Sequence, residues 1–141
     1  MALRLSLQED KPTWVKYEAF DKDGNKIAEA EFLVNALSAT EVNKISRQSI
    51  IRIKKPIIKN GRKKLEMVEE FDNAKFLGLM FDKIVTDWKG LEDENDNPIP
   101  CTAENKSIIA DKYPDIANFC IDEATDIEKT LRKKKEEQVK N

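Results

Sequence analysis

Apolar and polar residues alternate with the period of a strand from Thr13 to Phe20 and again from Lys26 to Val34. Between them lies Asp21-Lys22-Asp23-Gly24-Asn25, whose Asp-Gly pair accepts the positive φ of a tight hairpin turn. Alternate positions place Val15, Tyr17, Ala19, Ala28, Ala30, Phe32 and Val34 on one face, which predicts a hairpin with that face on the core. Lys16, Glu18, Glu29 and Glu31 fall on the other side.

The next segment switches period. Ser38-Ala39-Thr40-Glu41 is a capping box, flanked by Leu37 and Val42 at the positions of a hydrophobic staple, so a helix starts here. Its end is ambiguous, because Ile50, Ile51, Ile53, Ile57 and Ile58 are β-branched and suit a strand as well as a helix. Pro56 and Asn60-Gly61 break the stretch, and Lys64 to Glu69 could return from that turn as a short strand. Asp72 caps a second helix, with Phe71 and Phe76 at staple positions and Leu77, Met80, Phe81, Ile84 and Trp88 along one face; Gly90 supplies the stop. Leu91 to Pro100 is a polar loop. Thr102 caps a third helix carrying Ile108 and Ile109, and Pro114 ends it or opens the last one. That last helix repeats Ile116, Cys120, Ala124, Ile127 and Leu131, with Phe119 beside the stripe.

These elements predict an α+β fold in which an N-terminal antiparallel β-hairpin or small sheet is followed by a bundle of about four helices. The 141 residues suit one domain, taken as 1–131, with 132–141 as a charged C-terminal tail that is frayed or solvated. Only 40% of residues are hydrophobic and 37% are charged, which implies a modest core under a heavily charged surface.

Net charge is −2, but it is unevenly spread. No acid occurs from Val42 to Lys64, whereas Lys44, Arg47, Arg52, Lys54, Lys55, Lys59, Arg62, Lys63 and Lys64 are basic; from Glu66 to Glu104 acids dominate. The expectation is a molecule with a basic side and an acidic side. The basic stretch could contact phosphates, but isoleucines and no aromatics are interleaved with it, which favours a solvated face or an acidic protein partner over nucleic acid. Candidate partner-binding residues are Lys54, Lys55, Arg62, Lys63 and Lys64 here, and Ile116 and Phe119 on the last helix if its stripe is partly exposed.

The sequence nominates no catalytic residue. It has no histidine, no phosphate-binding glycine pattern among its 4 glycines and no C-x-x-C pair among its 2 cysteines, so neither an enzyme nor a cofactor or metal site is expected. Asp93, Asn95, Asn97 and Glu104 fall at EF-hand ligand spacing, yet Pro98 stands where that loop needs glycine. Cys101 and Cys120 read as reduced, partly buried thiols. Met1 to Asp10 makes a poor signal peptide and no apolar run is long enough to cross a bilayer, so the protein is expected in the cytoplasm.

Val85-Thr-Asp-Trp-Lys-Gly-Leu91, Asp96-Asn-Pro-Ile-Pro-Cys-Thr102, Glu104-Asn105 and Tyr113-Pro114-Asp115-Ile116 together resemble the tail assembly chaperones of long-tailed phages and prophages. The matching order and spacing run from about Asp72 to Ala124, and the signature residues are Asp87, Trp88, Gly90, Leu91, Pro98, Ile99, Pro100, Thr102, Glu104, Asn105 and Pro114. Each also has a structural account: Trp88 plugs the core at its helix end, Gly90 takes the left-handed cap, the prolines stiffen the loop and Thr102 caps. Two departures are Asn97, at a turn place where glycine is common, and the basic Val42 to Lys64 stretch.

The resemblance implies a bacterial host, the tape measure protein and the tail tube protein as partners, no membrane, and a task of covering apolar surface until the tube polymerises. It also implies that Arg132-Lys133-Lys134-Lys135 could mark a ribosomal slippage site giving a longer product; a solvated helix end explains the same lysines. A structural tail component retained in the virion, or a nucleic-acid-binding adaptor using residues 42–64, remain the alternatives.

Overall fold

A computed structural model describes residues 2–3 and 11–140; the N-terminal residues read against a signal peptide lie mostly outside them. In chain order the elements are β1 (Thr13–Phe20), β2 (Lys26–Val34), α1 (Ala39–Gln48), β3 (Ile50–Lys59), β4 (Arg62–Phe71), α2 (Asn73–Ile84), β5 (Val85–Lys89), α3 (Ala103–Lys112) and α4 (Pro114–Lys140). The fold is α+β with four helices, but the expected order of an N-terminal hairpin followed by a helical bundle is wrong. A second, two-stranded sheet, β3-β4, lies between α1 and α2, and β5 follows α2 to complete a three-stranded sheet of order β1-β2-β5.

The β1–β2 hairpin forms in the register that alternation requires, with Val15 opposite Phe32 and Tyr17 opposite Ala30. Ala30, Phe32 and Val34 are buried, Val15 and Tyr17 pack at the core margin, and Ala28 near the turn is exposed. The turn is held by Asp21, whose Oδ1 accepts from the Asp23 and Asn25 amides at 2.9 Å each, and Gly24 takes φ +82°.

The three inferred caps form. Ser38 Oγ accepts from the Glu41 amide (3.3 Å), Asp72 Oδ1 from Lys75 (3.1 Å) and Thr102 Oγ1 from Asn105 (3.2 Å). Phe71 and Phe76 meet with ring centroids 5.2 Å apart, closing the staple at the start of α2.

The second helix is shorter than its pattern suggests. It ends at Ile84, and Val85–Lys89, read as its last turn, is strand β5, pairing antiparallel with β2 so that Trp88 stands opposite Phe32. The free edge of β2 supplies backbone partners that a helix end would leave unmet, and β-branched Val85 and Thr86 suit the extended form. Trp88 therefore fills the core from a strand and not from a helix end. It stacks on Phe81 (6.5 Å, 15°) and meets Phe32 edge-on (6.4 Å). Gly90 does take a left-handed φ of +83°, but after a strand, and a Cβ there would lie 3.1 Å from the Glu29 carbonyl.

Helix α4 crosses the sheet and α2. Ala117, Cys120 and Ala124 are fully buried on its inner stripe, and these small side chains let the helix approach β1 and β2 closely. The helix continues through residues 132–140, the segment read as a charged tail, and residues 132–136 are exposed. No helix among the described residues is long and apolar enough to cross a membrane.

Candidate functional site

The ambiguous isoleucine stretch resolves into an arm. Helix α1 stops at Ser49, a fully buried residue whose Oγ donates to the Ile45 carbonyl (2.8 Å) and whose own carbonyl accepts from the Asp72 amide (2.8 Å). This one staple ties both ends of the β3–β4 hairpin to the body. Ten residue pairs run in unbroken register from Ile50–Phe71 to Lys59–Arg62. At about 3.3 Å per residue the arm is roughly 33 Å long.

Its turn is Asn60-Gly61 with φ +55° and +74°, the positive pair of a type I′ hairpin. Counting back from the turn, Pro56 falls at a non-hydrogen-bonded pair, where an amide would point out of the ladder, so the strand passes through it. The return strand runs Arg62–Phe71, longer than the Lys64 to Glu69 segment read from sequence.

The register sorts the arm into two unlike faces. One carries Ile51, Ile53, Ile57 and Val68, all half-buried, with Ile53 opposite Val68 and with Lys55–Glu70 and Lys59–Glu66 ion pairs on the same face. The other carries every strongly exposed large apolar residue of the arm: Ile50 (47% exposed), Phe71 (45%), Met67 (58%), Leu65 (70%) and Ile58 (77%). No arm residue belongs to the buried core. An isolated two-stranded hairpin is marginal in water, and an apolar stripe on a projecting one marks an interaction surface.

The arm also revises the charge picture. Folding β4 back on β3 sets Arg52, Lys55 and Lys59 against Glu69, Glu70 and Glu66, so a basic side opposed to an acidic side does not form along this stretch. Exposed pairs of this kind contribute little stability, about 0–1 kcal/mol each. Among the described residues Lys54, Arg62, Lys63 and Lys64 form no ion pair, leaving net positive charge at the far end of the arm.

The candidate partner residues thus separate. Lys54 and Lys63 lie on the apolar face, while Lys55, Arg62 and Lys64 lie on the other. Ile116 and Phe119 are in α4 at the core margin, Phe119 meeting Tyr17 edge-on at 5.2 Å. The exposed stripe of Ile58, Leu65 and Met67 was missed from sequence, although the Asn60-Gly61 turn implies the register that exposes it.

The signature residues converge on a structural knot. Trp88 Nε1 donates to the Ile99 carbonyl (2.7 Å), Ile99 N–H donates to the Leu91 carbonyl (2.9 Å), and Asn105 Nδ2 donates to the Pro100 carbonyl (2.9 Å). Asp87 Oδ1 accepts from the Trp88 amide, Pro98 bridges Glu92, Glu104 sits exposed in the first turn of α3, and Pro114 opens α4. Asp93 Oδ1 accepts from the Asn95 and Asn97 amides, a turn role, and Asp96, not Asn97, takes the positive φ (62°).

This knot forms one wall of a second surface, a cleft of about 460 Å³ between the 91–99 loop and the α3–α4 corner. Leu91, Ile99, Ile109, Tyr113 and Ile116 line it, and Glu92, Asp93 and Glu94 stand along its loop side. Burial pushes the Cys120 thiol up to about 12, and burial also raises Cys101.

The arm and cleft define the class: a small α+β body with a projecting apolar-faced hairpin. The family model of the YdaY prophage protein matches residues 42–141, and the chain belongs to that family. The matched region holds the arm, β5 and the signature knot, and leaves out β1 and β2. Neither a curated protein nor a solved structure gives a match.

Proposed function

We propose that this prophage protein is a tail assembly chaperone, which binds the tape measure protein, covers its apolar surface and releases it to tail tube protein, acting by contact and without catalysis. The observation that carries this reading is the arm's exposed apolar face, held away from the core by the Ser49–Asp72 staple. A helical client could lay its own apolar stripe along that face. The family membership supports a prophage protein and no more; the finer reading leans on the resemblance of the 85–116 region to such chaperones.

The test is co-expression with the tape measure protein of the same prophage. Soluble complex is expected with the parent and loss of it with Leu65→Ser/Met67→Ser, at unchanged circular dichroism. Equal complex formation by both would overturn the reading. Abundant protein in purified virions would instead favour a retained tail component. The uncompensated cations at the arm's end favour one other reading, a nucleic-acid adaptor, which requires affinity to fall steeply with salt.

A further inference from the structure

We infer that copies of this protein associate head to tail, the basic end of one arm seating in the acidic-sided apolar cleft of the next copy. The arm's end presents Ile58 and Leu65, the two most exposed large apolar side chains of the hairpin, at 77% and 70% exposure. Lys54 and Lys63 share their face. The cleft offers the complement: an apolar lining that includes Leu91, Tyr113 and Ile116, with Glu92 and Glu94 at its side. Its volume of about 460 Å³ is within the range that holds small ligands, and large enough for two aliphatic side chains.

Charge complementarity selects a second copy as the occupant. Among the described residues neither Glu92 nor Glu94 forms an ion pair, just as Lys54 and Lys63 form none, so each surface carries charge its own copy leaves uncompensated. The chain's net charge of −2 puts little general repulsion between copies. Opposed local fields then orient the encounter, and burial of Ile58 and Leu65 holds it. Because arm and cleft are different surfaces, the contact is heterologous and generates a closed ring or an open chain. The arm's end is smaller than the about 20–30 residues a side of a standard interface, so assembly depends on concentration. None of this rests on the identity of the client.

Sedimentation velocity of the full chain tests it. The parent should form species larger than a dimer as concentration rises, shifting toward monomer in 0.5 M salt, a condition chosen to shrink the screening length to about 4 Å. The arm variant Ile58→Ser/Lys63→Ser, which adds no acid that a basic cleft could attract, and the cleft variant Glu92→Lys/Glu94→Lys should each be monomeric alone. Mixed in equal amounts they should give a one-to-one dimer and nothing larger, since one retains the cleft and the other the arm. A monomeric parent, an arm variant that assembles like the parent, or a mixture that stays monomeric would each overturn the inference. Circular dichroism verifies folding, and a double variant that fails it is replaced by Ile58→Ser or Glu94→Lys alone, read in the same way.

Discussion

Trp88→Ala should be among the most damaging single substitutions in the body of the protein. The side chain is 6% exposed, stacks on Phe81, meets Phe32 edge-on and donates a 2.7 Å hydrogen bond to the Ile99 carbonyl. Truncating a buried tryptophan costs about 3–5 kcal/mol through lost transfer energy and the cavity left behind. Against a total stability of about 5–15 kcal/mol for a domain, that is a large share. At roughly 3–5 °C per kcal/mol for a chain of this size, the melting temperature should fall by about 10–20 °C.

Trp88→Phe separates the two contributions. It keeps most of the ring and removes the donor, and should cost about 1–2 kcal/mol, mostly by releasing the 91–99 loop from β5. The assay is thermal and urea unfolding followed by circular dichroism. A Trp88→Ala melting temperature within about 2 °C of the parent, together with lost partner binding, would refute the reasoning and make Trp88 a surface anchor.

Three further outcomes follow from the geometry. Gly90→Ala should cost about 2 kcal/mol or more in urea unfolding, since it combines left-handed strain with a Cβ 3.1 Å from the Glu29 carbonyl; Gly61→Ala, equally left-handed but in open space, should cost only the strain, about 1 kcal/mol. Asp72→Ala should lose about 1 kcal/mol by uncapping α2 while Asp72→Asn retains most of it, as read from shifts in the urea midpoint. Cys120 should resist alkylation in the native state, as followed by mass spectrometry. Its thiol is raised to about 12 from an ordinary 9.0, so the unfolded chain ionises first; stability present below pH 9 should decline as pH rises toward 12, and Cys120→Ala should flatten that decline.

What the sequence determined by itself was local. The caps at Ser38, Asp72 and Thr102 act over three residues, the Asp21 turn over four, and the β1–β2 register follows from strict alternation, so each was legible without knowing its neighbours. Tertiary structure decided what depends on distant partners. Val85–Lys89 continues the apolar spacing of α2, and only the open edge of β2, some fifty residues earlier, makes it a strand. That same strand, returning to the first sheet, and the hairpin set between α1 and α2 are why strands and helices interleave here.

The arm lies between these cases. Its turn was legible at Asn60-Gly61, but the β-branched isoleucines suited a strand as well as a helix, so the pattern did not set which of them a register would expose. The register puts Ile53 against Val68 on one face and leaves Ile58 and Leu65 open on the other. The same register cancels basic against acidic residues that stand far apart in sequence, so charge segregation along the chain became neutralisation across a hairpin, with cations left over from Lys54 outward to its end. Burial and pairing are properties of which surfaces meet, and a one-dimensional pattern specifies them only where the meeting partners are close along the chain.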